Sequence, residues 1–347
     1  MSAHSASRRK FLLLAMGAGG VAAFGLAAEL TRKTSAAAVA PATTLADLKT
    51  FTRTSWALGS DVALTVLHAD EATAQRALDA AFVELNQVED VLSVYRVNSQ
   101  ISRLNKAGRI DQPHAHFQKV MQASQEMARL SNGAFDASVQ PLWDLYSDAK
   151  KKNALPDAAA IESARGAVNF RSISHSPSAI AFNTPGMKIT FNGIAQGYAA
   201  DCVMAVLKAH GIEHALVDTG ELASQGRKAD GEAFRVGIQH PRQPDAFIGV
   251  CAMDGRALAT SGDYATAFSE DFLYHHIFDP STGRSPLELS SASILAPTGM
   301  MADALTKPVF VLGAEKGMAL IESMPGCDAF LVTKDGRTFK SKGFPLV

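Results

Sequence analysis

Cysteine is scarce in this chain: Cys202, Cys251 and Cys327 are the only three among 347 residues. They lie far apart and form no C-x-x-C, which excludes a disulfide framework and a cysteine-built zinc site. Burial as small apolar side chains is their expected fate. An excess of charge is also missing, since 33 Lys and Arg stand against 34 Asp and Glu, leaving a net charge of −1. The basic residues are scattered, so neither nucleic acid nor an anionic membrane surface is an expected partner. Neither a strong internal repeat nor a low-complexity tract follows the first forty residues. What remains is ordinary globular composition, 47% hydrophobic and 19% charged, enough for one large domain or two fused small ones.

The N-terminus is the first positive signal. Ser7-Arg8-Arg9-Lys10-Phe11-Leu12 puts paired arginines directly before an uncharged run from Phe11 to Ala28. The run falls short of the roughly 20 apolar residues that span a bilayer and is diluted by Gly and Ala. Small residues at Ala36-Ala37-Ala38-Val39-Ala40 suit a signal peptidase. Basic start, apolar middle and small-residue exit are the parts of a secretory signal, and the arginine pair points to the twin-arginine route. The expectation is a signal and cleavage region over 1–40, a linker over 41–50, one domain over 51–347, and a periplasmic protein. Membrane contact would come only through an uncut signal.

Periodicity outlines the rest. Asp61–His68 alternates like a half-buried strand, and Asp70–Val91 has helical spacing with Ala77, Ala81, Leu85 and Val88 on one face. A short helix enters through Ser99, and another over His116–Leu130 ends at Ser131-Asn132-Gly133. Lys150–Pro156 reads as a charged loop and an internal seam. Strands are expected at 179–182, 188–191, 214–217, 234–238, 247–253, 256–259, 273–278 and 291–295. Helices are expected at 195–210, 302–312 and 315–323. Many short strands with a few helices imply an α+β fold of mainly antiparallel sheets flanked by helices.

Four segments carry more Gly, Asp, Ser and aromatic residues than packing needs. Leu92-Ser93-Val94-Tyr95 leads into Asn98-Ser99-Gln100-Ile101 and offers a ring for stacking. Gly133-Ala134-Phe135-Asp136-Ala137-Ser138 is a turn with a carboxylate, which is equally suited to capping a helix. Thr190-Phe191-Asn192-Gly193-Ile194-Ala195-Gln196-Gly197-Tyr198 runs from a strand through a glycine turn into a helix. Its free N–H groups suit a phosphate, although it matches neither a Walker A loop nor G-x-G-x-x-G. The fourth pairs Ala259-Thr260-Ser261-Gly262-Asp263-Tyr264 with His276-Ile277-Phe278-Asp279-Pro280-Ser281-Thr282-Gly283, where Asp279 is expected to stabilise a turn. On a strand His275 and His276 would face opposite sides and could not share one site. Met301-Ala302-Asp303-Ala304-Leu305-Thr306 then places an acid at the start of an apolar helix, where the dipole favours it.

In order and spacing these segments resemble the ApbE-like FAD:protein FMN transferases, from about Leu58 to Leu312. The resemblance implies a single α+β domain of duplicated character, with FAD in a cleft between its halves. It maps flavin or phosphate contacts to Tyr95, Ala134, Phe135, Asp136, Thr190, Gln196 and Ser261. It maps magnesium to the Gly193 carbonyl and Asp303, with Thr306 or Lys307 where the family has a metal-binding Thr. It makes His276 the catalytic or phosphate-contacting histidine. The implied reaction moves FMN from FAD onto a Thr or Ser of an exported electron-transfer protein carrying an S/D-G-x-T-type segment, and releases AMP. The chain departs from the pattern at Thr190 (Asp), Asn192 (Gly), Gln196 (Lys) and Lys307 (Thr). An ammonium at 307 cannot ligate magnesium but can meet a phosphate. Hydrolysis of FAD to FMN and AMP, and flavin carriage without cleavage, are the alternative readings.

Overall fold

The computed structural model describes residues 44–347. The twin-arginine segment and its cleavage region lie outside the described residues. In chain order the elements are β1 (Lys49–Ala57), β2 (Ser60–His68), α1 (Glu71–Leu92), α2 (Gln100–Ala107), β3 (Arg109–Asp111), α3 (Ala115–Leu130), α4 (Gln140–Lys151), α5 (Ala158–Arg165), β4 (Ile173–His175), β5 (Ala179–Phe182) and α6 (Ala195–Ala209). There follow β6 (His214–Asp218), β7 (Leu222–Gln225), β8 (Arg235–His240), β9 (Gln243–Ala252), β10 (Ala257–Gly262), β11 (Leu289–Ala296), α7 (Gly299–Glu322), β12 (Asp328–Thr333) and β13 (Thr338–Lys340).

An eight-stranded sheet in the order β1-β2-β6-β7-β10-β11-β12-β13 forms the frame, beside a three-stranded sheet β3-β5-β4 and the β8–β9 hairpin. Every strand pair among the described residues is antiparallel, as the alternating runs imply. Both faces of the large sheet are covered. Successive residues of one strand join different cores, because side chains alternate across a sheet. Ile294 packs with Val62, Leu64, Leu85 and Phe310 on the helical side, whereas Leu295 packs with Phe234, Val236 and Phe330 beneath the hairpin. β11 is accordingly buried along its whole length. A third cluster of Leu142, Tyr146, Ile161, Phe268 and Phe278 ties α4 and α5 to the long segment between β10 and β11.

Local signals act where they were read. Ser99 caps α2 by accepting from the Ser102 N–H at 3.1 Å, and Asp70 does the same for α1 through Thr73. Leu58 and Gly59 take positive φ in the two-residue turn that joins β1 to β2. The helix after Thr298 breaks at Gly313, where the two expected helices meet.

Four expectations are corrected. β1 opens at Lys49, within the stretch read as linker. The helix α4 runs through Lys150 and Lys151, so the proposed seam is partly helical. Residues 188–191 pair with no strand. The Asn105 side chain takes the place of one, donating to the Ile189 carbonyl at 2.8 Å and accepting from its N–H at 2.7 Å. Residues 273–278 are not a regular strand either, because the His275 N–H goes to Ser285 Oγ and the His276 N–H to the Thr266 carbonyl. The periodicity also left α4, α5, β1, β3, β4, β7, β12 and β13 without an assignment.

Candidate active site

α6 and α7 cross where each carries a glycine. A Cβ on Gly197 would lie 2.0 Å from the Gly299 carbonyl oxygen and 2.7 Å from Asp303 Cβ, so no side chain fits there. Asp201, one turn further along α6, accepts from the N–H groups of Gly299 and Met300 at 2.6 and 2.9 Å and caps α7. Gly-Tyr-x-x-Asp in this segment is therefore a helix-joining device. It brings the N-terminal ends of both helices to one place.

That place borders a cavity of about 720 Å³, within the range of cofactor-sized sites. Its wall gathers Gly59 and Ser60 from the β1–β2 turn, Tyr95, residues 134–137, Thr190, Asn192, Gly193 and Gln196. Asp218 and Glu221 come from the β6–β7 turn, Ser261 from β10, Thr266 and His276 from the following segment, and Lys307 from α7. Tyr95, Ala134, Phe135, Asp136, Thr190, Gln196, Ser261, Gly193, Lys307 and His276 are thus brought together as expected. Asp303 and Thr306 are not among the lining residues. Both are fully buried.

Several polar groups turn out to be committed. Asp136 spends one oxygen on the Ser138 N–H and hydroxyl and the other on the Phe170 N–H at 2.8 Å. Burial raises its pKa, and those bonds partly offset the rise. It shapes the turn more than it offers a charge, which favours the capping alternative. Asp279 likewise holds its own turn through Ser281. Gln196 donates to Ser60 Oγ at 3.1 Å, and Asn192 donates to the Tyr95 hydroxyl at 3.0 Å. That bond fixes Tyr95, 57% exposed, at the mouth of the cavity.

The metal set departs furthest from expectation. Lys307 Nζ sits 2.6 Å from Asp303 Oδ1, and Asp303 Oδ2 accepts the Gly197 N–H at 3.1 Å. Asp303 therefore caps α6, and the Gly197 N–H expected for a phosphate is taken. Thr306 Oγ1 donates to the Asp303 carbonyl at 2.7 Å and lies 2.8 Å from Ser261 Oγ. Magnesium demands near-octahedral oxygen ligands at roughly 2.0–2.1 Å. Here one carboxylate oxygen holds an ammonium, the other holds an N–H, and the hydroxyl is already bonded. The residues as placed do not fit a magnesium ion: Asp303 and Lys307 form an ion pair, with Thr306 hydrogen-bonded beside it. Gly193 stays at the wall, where a Cβ would touch Lys307 Cε at 3.0 Å.

His276 stands against Trp143, edge to face, with ring centroids 6.3 Å apart. Its Nδ1 lies 3.3 Å from the Thr266 carbonyl oxygen. A carbonyl only accepts, so Nδ1 carries the proton and Nε2 is the basic nitrogen of the neutral ring. His275 does turn away, though not by strand alternation. It is fully buried, packs edge to face on Phe310 and donates from Nε2 to the Pro286 carbonyl at 3.0 Å. Burial lowers its pKa from 6.5 to about 4. The unfolded chain then binds more protons than the native one between those values. Stability is full above about pH 6.5 and is expected to fall, by up to about 3 kcal/mol, as pH drops towards 4. Urea unfolding across that window checks this, since His275→Phe should flatten the dependence.

The segment that carries His276 is pinned by Asp263. This fully buried carboxylate meets both terminal nitrogens of Arg242 at 2.8 Å and Lys334 Nζ at 2.8 Å. The sequence marks Asp263 and Trp143 only as members of motif segments, and Asp218 and Glu221 in the wall were missed. A clue was available in Asp218-Thr219-Gly220-Glu221, an acidic glycine turn at the end of a strand.

The described features match known proteins over most of their length. The profile of the ApbE family matches residues 58–331. This chain belongs to the ApbE family. A Klebsiella pneumoniae protein named FAD:protein FMN transferase is 29% identical over 300 residues, covering 84% of this chain and 92% of that one. Its namesake in Treponema pallidum is 32% identical, covering 77% and 80%. Among solved structures, the flavinyl transferase ApbE of Pseudomonas stutzeri superposes with a TM-score of 0.75 at 30% identity, covering 85% of this chain and 95% of that one. The ApbE protein of Thermotoga maritima gives 0.77 at 25% identity. The mainly antiparallel α+β architecture is the ApbE fold.

Proposed function

We propose that this ApbE-family protein is an FAD:protein FMN transferase, which joins the FMN phosphoryl group to a Thr or Ser hydroxyl of an acceptor protein. The observation that carries the reading is the meeting, on one cavity wall, of a histidine with a defined basic nitrogen and a lysine ammonium. The acceptor hydroxyl oxygen attacks the FMN-side phosphorus of FAD. A new P–O bond forms, the pyrophosphate P–O bond breaks, and AMP leaves with the bridging oxygen. The hydroxyl proton passes to His276 Nε2, general-base help typically worth 10²–10⁴-fold. Lys307 faces the charge that builds on the phosphoryl oxygens, and positioning with electrostatics supplies most of the rest. The wall also bears Asp61, Asp136, Asp218 and Glu221, so a bound pyrophosphate needs a cation beside it.

Magnesium, which the family resemblance implies, has no step in this reading because the donor set does not fit it. The acceptor is expected to carry an S/D-G-x-T-type segment and to serve electron transfer. With Arg8 and Arg9 placed for twin-arginine export, enzyme and acceptor are expected to meet in the periplasm. Among the described residues no helix is long and apolar enough to cross a membrane.

The test is to incubate the protein with FAD and an acceptor bearing that segment, then follow covalent flavin by gel fluorescence and AMP by chromatography. Fluorescent acceptor with equimolar AMP supports the proposal. AMP with free FMN would replace it by FAD hydrolysis, and intact bound FAD by a carrier role.

A further inference from the structure

We infer that the Lys307 ammonium is the resident cation of this site, standing beside Asp303 in place of a divalent metal ion. The inference rests on the transferase reading for its meaning but not for its test. Among the described residues that line the cavity, Lys307 is the only Lys or Arg. Its methylenes lie along Gly193, and its head is held 2.6 Å from Asp303 Oδ1 with the Asp303 carbonyl at 3.4 Å. Asp303 is fully buried and would be costly there without a partner. Two positive partners satisfy it: the ammonium and the N-terminal end of α6 through the Gly197 N–H.

A divalent ion at Asp303 would have to displace the ammonium or sit against it. The ammonium sits on the same helix, four residues on, and cannot diffuse away. Lys307 therefore fills two roles at once. It neutralises the buried carboxylate, and its side chain, one-fifth exposed, presents the remaining N–H donors to the cavity. A lysine acts on phosphate as a point charge with three donors, so the pyrophosphate of FAD is the group it fits.

Two measurements test this on the full chain. The first is thermal unfolding with and without millimolar Mg²⁺, for wild type and Lys307→Thr. Wild type is expected to be unmoved by Mg²⁺, and the variant to melt several degrees higher with it, because an ion bound only by the folded state stabilises that state. The second is AMP release from FAD in EDTA. Wild type is expected to keep its rate within about twofold, and Lys307→Thr to need added Mg²⁺. A Mg²⁺-induced rise in the wild-type melting temperature would overturn the inference, as would a wild-type rate lost in EDTA and restored by Mg²⁺. If the variant fails to fold, the wild-type arms decide alone. If neither protein releases AMP, the transferase reading fails, while the melting data still decide what stands beside Asp303. The one grouping of three potential metal-binding side chains among the described residues, Glu84, His116 and Cys202, does not confuse the readout. None of them lines the cavity, and a thiol and an imidazole do not suit magnesium.

Discussion

Asp303→Ala is expected to lower stability by about 3–5 kcal/mol and to remove FMN transfer. Breaking a buried ion pair costs this much because the surviving charge keeps its desolvation without its partner. Here the survivors are the Lys307 ammonium and the Gly197 N–H, both of which now bond the same carboxylate. The loss reaches the chemistry because Lys307, freed from its anchor, no longer points reliably at the substrate. Removing one preorganised charge stabiliser typically costs about 10²–10³ in rate. Asp303→Asn separates the two effects. Its amide oxygen can still accept from Gly197, so the stability loss should shrink while the rate stays low. Urea unfolding beside the gel-fluorescence assay reads both quantities. An alanine variant within about 0.5 kcal/mol of wild type would show that neither the ion pair nor the Gly197 bond of Asp303 contributes to stability as argued.

His276→Ala should behave differently, losing about 10²–10⁴ in kcat while the fold and FAD affinity barely change. The reason is its position. His276 sits on the cavity wall in a long segment that is tied to the sheet through Asp263 with Arg242 and Lys334. Truncation therefore removes a base without emptying a core. The diagnostic readout is chemical rescue: added imidazole should restore part of the lost kcat in the variant, as expected when a missing general base is resupplied. A variant kcat within about twofold of wild type would remove His276 from proton transfer.

The reach of sequence reading differs from element to element. The turn of Asp279, the cap at Ser99 and the glycine stop after Leu130 were legible because each is made by residues within a few positions of one another. Strand positions were legible where the apolar run was clear, as in β2 and β11. The same reading misled at 188–191 and 273–278, where the residues suit a strand but the backbone partner is a side chain or a distant loop. An Asn that stands in for a strand, as Asn105 does for Ile189, leaves no periodic trace. The buried clamp on Asp263 left none either, since Arg242 and Lys334 come from opposite directions along the chain.

The paucity of cysteine and of net charge excluded whole classes of protein, and the ordered glycine, acid and histidine segments selected the family. These are properties of local chemistry and of spacing along the chain, which the sequence by itself determines. The state of the site was decided only by the tertiary structure. Asp303 and Lys307 are four residues apart on one helix, a spacing equally compatible with a pair or with two separate roles. Their union follows from the crossing at Gly197 and Gly299, which buries Asp303 against the N-terminus of α6 and leaves the ammonium as its remaining partner. A buried charge takes whatever partners three dimensions place around it, and those come from parts of the chain too distant for spacing to reveal.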